Sequence, residues 1–253
     1  MDRIYRVKQG MGGRYAVERG GAFSWLHGDI FGDYEPGDEI PAGAPMTFLA
    51  PVMPSSVVCI GLNYKDHAAE MKKKLPEEPL VFLKPATTVI GPEEAIRLPL
   101  WAGRIEHEAE MAVVIGKRAF NVAAADAMDY VLGVTCLCDV TARELQVKDV
   151  QYSRAKGFDT FAPLGPCIAV GLDPSALDIE GWVNGERRHM SNTRELIFPV
   201  PYLVAHVSRF MTLRPGDVIT TGTPSGVGPL VPGDRMMVKI EGVGTLSNPV
   251  TAG

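Results

Sequence analysis

The chain has 253 residues, 46% of them hydrophobic and 22% charged, and carries 25 Lys and Arg against 30 Asp and Glu for a formal charge of -5 at pH 7. This balance is that of a soluble globular protein with ample material for a core. With no long basic run to follow a phosphate backbone and no apolar run of about 18 residues, nucleic-acid binding and a membrane span are both excluded as expectations.

The opening "MDRIYRVKQGMGGRYAV" alternates charge and apolarity without the apolar stretch of a signal peptide, so a cytoplasmic protein is expected. The first fifty residues read as short strands, "RIYRVKQ", "RYAVERG" and "AFSWLHG", and end in the Pro- and Gly-rich "YEPGDEIPAGAPMTFLAPVMPSS". They predict a small β-rich N-terminal domain over residues 1–52 and a larger domain over 53–253. Farther along, apolar β-branched runs recur in "SVVCIGL", "MAVVIGK", "YVLGVTCLCDV", "PCIAVGL", "DVITTGT" and "DRMMVKIEGVGTL". Helical patterning is confined to 64–73, 122–130, 141–148 and 200–211. Strands dominate and do not alternate regularly with helices. The expected class is therefore α+β, strand-dominated, with mixed sheets folded on themselves rather than a Rossmann or TIM arrangement. Cys59, Cys136, Cys138 and Cys167 all lie in strand-like apolar contexts and read as core thiols.

The stretch "RIEHEAEMAVVIGK" places Glu106, Glu108 and Glu110 at every second position before an apolar run. Alternate residues of a strand share a face, with Cβ atoms roughly 7 Å apart at this spacing. Two carboxylates drawn to about 4 Å repel by about 4 kcal/mol at an effective dielectric of about 20, and a divalent cation between them reverses that sign. The competing reading is an edge strand with a solvated acidic face. A third oxygen ligand is available in Asp139, where the apolar run of "GVTCLCDVTARELQ" ends in an acid. Oxygen ligands alone select a hard cation: Mg²⁺ or Mn²⁺, with Ca²⁺ also compatible.

Taken in order, "NYKDHAAEM", "FLKP", "IEHEAEMAVVIGK", "GVTCLCDVTARELQ", "RAKGFD", "TLRPGDVITTGTPSGVG" and "VPGDRMMVKIEGVGTLSNPV" resemble the motifs of the fumarylacetoacetate hydrolase (FAH) family. The resemblance is to its small bacterial branch of acylpyruvate hydrolases, 2-hydroxyhepta-2,4-diene-1,7-dioate isomerases and oxaloacetate decarboxylases. It runs from about residue 55 to the end and implies an FAH-like mixed β-sandwich roll and a homodimer. It makes Glu108, Glu110 and Asp139 the metal ligands. Glu106 falls outside the motif and is expected to be solvated, and His107 is expected to be a satisfied core or interface histidine.

The same resemblance makes His67 and Glu70, three apart and so on one helix face, a catalytic dyad on a mobile segment continued by "KKKLPEEP". A carboxylate behind an imidazole fixes its tautomer and raises its basicity. Lys156 is implied as a cation beside the metal, able to stabilise a developing enolate. Arg143 and Gln146 are implied as contacts to substrate carboxylate and oxo groups, a task suited to the planar guanidinium. "TGTPSGVG" lacks the ending of a phosphate-binding loop, yet its backbone N–H groups and the Thr223 hydroxyl can meet a carboxylate. Ser225 has no base near it in sequence. The implied activity is metal-dependent chemistry on a pyruvate-like 2-oxo or 2-hydroxy-enoate dicarboxylate through an enolate: C–C hydrolysis or dienoate isomerisation in aromatic catabolism, or oxaloacetate decarboxylation. A non-catalytic, metal-dependent dicarboxylate binder is the alternative of another class, and there His67 and Glu70 would have no task.

Overall fold

A computed structural model describes residues 1–253. Three hairpin-linked strands at the start, Arg3–Gln9, Gly12–Arg19 and Ala22–Gly28, are followed antiparallel by Tyr34–Ile40. This meander does not stand apart. Arg3 and Ile4 pair with Ala169 and Ile168 of the strand Ala162–Val170, so the hairpins extend a single 12-stranded sheet.

Within that sheet the order continues through Ala162–Val170, Val131–Cys138, Ala109–Ile115, Val218–Thr220, Val57–Gly61 and the edge strand Leu80–Lys84. The central strand Ala109–Ile115 is buried along its whole length, including Glu110, and is continuously apolar from Met111 on. Its Met111 and Val113 enter the large core cluster, while Ala112 and Val114 enter a second cluster that also contains Ile4, Val17, Leu26 and Ile30 from the first hairpins. A five-stranded sheet, ordered Glu186–Asn192, Asp178–Val183, Arg235–Ile240, Gly244–Ala252 and Ile96–Leu98, contributes Ile179, Val238, Ile240 and Leu246 to the large core. A small third sheet joins Thr141–Ala142, Ile105–His107 and Gly228–Pro229.

The expected helices are present in shortened form. α1 spans Lys65–Glu70, α2 Arg143–Asp149 and α4 Val200–Ser208, whereas 122–130 is a 3-10 turn over Ala124–Tyr130. A further helix, α3 over Ser153–Lys156, has too few residues for a periodic signal. α1 ends in a Schellman turn: Lys73 N–H donates to Ala68 O and Lys72 N–H to Ala69 O, with Lys72 left-handed at φ 52. Its root is Asn63, fully buried, whose side chain donates to Phe198 O and Thr221 O and accepts from Phe198 N–H. All four cysteines are free and buried, as their contexts predict. No helix is long and apolar enough to cross a membrane.

Candidate metal and active site

The acid-rich stretch is not one continuous strand. It breaks at Glu108, between Ile105–His107 and Ala109–Ile115, and the break sends its acids to different partners. Glu106, expected to be solvated, is only 6% exposed: Arg104 Nε meets its Oε1 and Arg143 Nε its Oε2, each at 2.6 Å. The expectation fails because Arg104 and Arg143 close over the carboxylate from two sides. His107 faces away and is buried against His189, the environment expected of a core histidine.

Glu108, Glu110 and Asp139 converge, each offering an oxygen, with these atoms within 4.8 Å of one another. Asp139 stands where the strand Val131–Cys138 ends, and its backbone N–H donates to Glu108 O at 2.9 Å, locking the two acid-bearing segments together. Lys156 Nζ donates to Glu108 Oε2 at 2.9 Å and to Asp139 Oδ2 at 2.6 Å, and is 2% exposed rather than solvated. Lys84, at the end of the edge strand, donates to Asp139 Oδ1 and to Val140 O. The sequence reading did not single out this residue. The available signal was a lysine closing the apolar run "LVFL" directly before a proline, which is too fully apolar a context for a solvated cation.

Arg143 engages all of its fork. Besides Glu106, its Nη2 donates to Glu108 Oε1 at 2.6 Å and its Nη1 to Gln146 Oε1 at 2.5 Å. The cations thus reach Glu108 and Asp139 but not Glu110, which is 1% exposed and accepts a hydrogen bond from Gly222 N–H at 2.9 Å. Burial, followed by the charges of Asp139 and Glu108, pushes the Glu110 carboxyl well above its ordinary range. Glu108 is driven the other way: burial opposes its charge, but Lys156 and Arg143 outweigh it and hold the carboxyl low. For Lys156 burial is likewise outweighed by Asp139 and Glu108, which hold its ammonium charged.

His67 Nδ1 lies 2.9 Å from Glu70 Oε2. A carboxylate only accepts, so Nδ1 carries a proton, and in the neutral tautomer Nε2 is the acceptor nitrogen. The side chains of Glu108, Glu110, Arg143, Gln146, Lys156, Thr223 and His67 all line one inner cavity of about 190 Å³. An adjoining outer cavity of about 500 Å³ shares His67, Lys73, Arg143 and Gln146 with it and adds Glu70. Thr223 donates its hydroxyl proton to Ala109 O at 3.0 Å, and the Gly222 N–H is committed to Glu110. Two of the loop's expected substrate donors are therefore spent on fixing the strand Ala109–Ile115. The sequence-predicted residues are nonetheless gathered at a single place.

The arrangement offers three acidic oxygens for a hard cation, two ammonium groups beside them and an imidazole base with its orienting carboxylate. Comparison with known proteins identifies the family. Over 218 residues, 81% of this chain and 68% of the relative, the sequence is 43% identical to the mitochondrial oxaloacetate tautomerase fahd2 of Xenopus laevis. The 2-hydroxyhepta-2,4-diene-1,7-dioate isomerase of Mycobacterium marinum superposes with a TM-score of 0.92 at 40% identity, covering 100% of this chain and 99% of that one. A maleylpyruvate hydrolase of Sphingobium sp. SYK-6, solved with manganese(II) and pyruvate, gives 0.81 at 31% identity over 99% of both chains. Residues 56–251 match the family described as fumarylacetoacetate (FAA) hydrolase, C-terminal, and with these likenesses the chain belongs to the fumarylacetoacetate hydrolase family.

Proposed function

We propose that this protein is a divalent-cation-dependent enzyme acting on a dicarboxylic 2-oxo or 2-hydroxy-enoate, cleaving a C–C bond by hydrolysis or shifting a double bond by isomerisation. The observation that carries the reading is Glu110, a buried acid without a cationic partner that shares an all-oxygen cluster with Glu108 and Asp139 at the wall of a cavity. Glu110 is the one of the three acids that no ammonium or guanidinium reaches, and the all-oxygen donors of the set suit Mg²⁺ or Mn²⁺, or Ca²⁺. Such a cation would supply a Lewis acid for the carboxylate and 2-oxo oxygens of the substrate.

The chain's own residues divide the remaining work. Lys156 lies beside the oxygens where negative charge would build and stabilises it. The bare Nε2 of His67 takes a proton, from water in a hydrolysis or from substrate carbon in an isomerisation, while Glu70 holds the ring and stabilises the imidazolium. Gln146 and Arg143 border both cavities and can orient a chain that runs from the inner into the outer one. A second reading, conversion of oxaloacetate by tautomerisation or decarboxylation, is favoured by the identity with the Xenopus tautomerase. It requires the same cation site and no attacking water.

The test is a panel of acylpyruvates, dienoate diacids and oxaloacetate, incubated with Mg²⁺ or Mn²⁺ and followed by mass detection of products. Addition of water with cleavage marks the hydrolase, an isobaric product the isomerase or tautomerase, and loss of carbon dioxide the decarboxylase. Metal-dependent binding without turnover on any of them would leave only a dicarboxylate-binding protein and overturn the proposal.

A further inference from the structure

Two buried imidazoles take no part in the chemistry above. His107 is 1% and His189 0% exposed, and their rings meet edge to face with His107 Nδ1 2.9 Å from His189 Nε2. We infer that His189, itself oriented by His107, is a positioning residue that fixes the Ser225–Gly226 peptide group and through it the Glu70 carboxylate behind His67. The inference rests on the proposed role of the His67–Glu70 pair.

Hydrogen-bond complementarity gives the direction of the chain. His189 Nδ1 faces Ser225 O at 2.9 Å and Pro224 O at 3.3 Å. Carbonyls only accept, so the proton is on Nδ1 and Nε2 is bare, and a neutral His107 must then donate from its own Nδ1. The Ser225 carbonyl and the Gly226 N–H belong to one peptide group. The oxygen accepts from His189, while the N–H donates to Glu70 Oε1 at 3.2 Å. The other oxygen of Glu70 accepts from His67. A continuous line of donors and acceptors therefore runs from His107, in the strand Ile105–His107, through two imidazoles and one peptide, to the proposed base. Bonds in such a line polarise one another.

The surroundings are shaped to keep this line. Gly226 has φ +108, and a Cβ there would lie 2.0 Å from Arg188 O, so the loop lies flat on the His189 strand. Gly181, the cross-strand partner of His189, leaves the space its ring fills: a Cβ would come within 2.4 Å of the imidazole. A glycine-flanked peptide turns over easily when nothing holds it. Without the His189 donor, the Ser225–Gly226 unit is free to rotate its N–H away from Glu70.

Nitrogen-15 histidine NMR of the wild-type protein provides the first test. His189 should be the Nδ1–H tautomer with a bare Nε2, and the reverse tautomer would overturn the inference. Kinetics on the metal-loaded enzyme provide the second. His189→Leu should lower kcat roughly ten- to hundredfold with KM and metal affinity little changed, because the base is misaligned rather than the ligands lost. His189→Gln, whose amide can both donate and accept, should restore most of the rate. In a Glu70→Ala background His189→Leu should cost nothing more, since its route to His67 is already cut. A loss that adds to that of Glu70→Ala, or that appears as weaker metal binding, would reduce His189 to a packing residue. If His189→Leu does not fold, the tautomer and the Gln variant decide. If no substrate is turned over at all, the proposed function fails while the tautomer result still stands.

Discussion

Glu110 and His67 lie in the same cavity but are asked to do separable things, and single substitutions should part them. Glu110→Ala removes the one acid that no cation of the protein satisfies. Titration calorimetry with Mn²⁺ should find binding gone, and activity should fall by about two orders of magnitude or more. His67→Ala should bind Mn²⁺ normally and lose hydrolysis by roughly 10²- to 10⁴-fold; loss of metal from this variant would show the dyad to be misplaced. Lys84 supplies a third contrast. Its ammonium and the Asp139 carboxylate are both essentially inaccessible to water, and without Lys84 the Asp139 carboxylate keeps only Lys156, which it shares with Glu108. Lys84→Met should lower the stability of the metal-free protein by about 3 kcal/mol, measured by urea unfolding, with added Mn²⁺ recovering part of the loss. The convergence of Glu108, Glu110 and Asp139 was legible because an i, i+2 acid pair against an apolar run is costly without a compensating charge. Lys84 was visible only as an anomaly, and the fate of Glu106 was hidden because closure by Arg104 and Arg143 depends on where the next turn of chain goes.

At the level of elements, α1 and the segment after it carry the dyad and then pass over the mouth of the cavities. Lys73, just beyond the Schellman turn, borders both cavities and has no carboxylate within ion-pair distance. It is suited to receive the far carboxylate of a diacid. Lys73→Met should raise KM for a dicarboxylic substrate roughly tenfold and leave KM for its monocarboxylic analogue unchanged; equal effects on both would remove Lys73 from recognition. Between the strands Ile105–His107 and Glu186–Asn192, the imidazole pair makes the fold sensitive to acid. Burial, then the neighbouring ring, lowers His107 from 6.5 to about 3, and burial lowers His189 in the same direction. Above about pH 6.5 neither state binds protons there and the stabilisation is complete. As pH falls below that value the unfolded chain takes up protons that the fold refuses, so stability declines toward about pH 3. Urea midpoints between about pH 7 and about pH 5 should fall less steeply in His107→Asn/His189→Gln than in the wild type. Element types were readable from periodicity and from Gly and Pro boundaries. The tie between this histidine pair and the loop 221–228 was not, because the three segments are remote in sequence and the His189 strand, in a different sheet, meets the other two through side-chain contacts.

For the whole molecule, the amino-terminal hairpins were legible as strands, but nothing in their alternation disclosed that they continue the sheet containing the strand of Glu110. Their Ile4, Val17, Leu26 and Ile30 share an apolar cluster with Ala112 and Val114, and Arg3 and Ile4 cover part of one edge of Ala162–Val170. A chain shortened to residues 53–253 would therefore bare both a greasy sheet face and a row of unsatisfied backbone groups, a template on which further copies can add strands. Size-exclusion chromatography of that fragment should find soluble aggregates or precipitate instead of a well-behaved species, and a monodisperse, metal-binding fragment would prove the hairpins dispensable. The meander thus covers an apolar face and a strand edge of the sheet without contributing a residue to the candidate site.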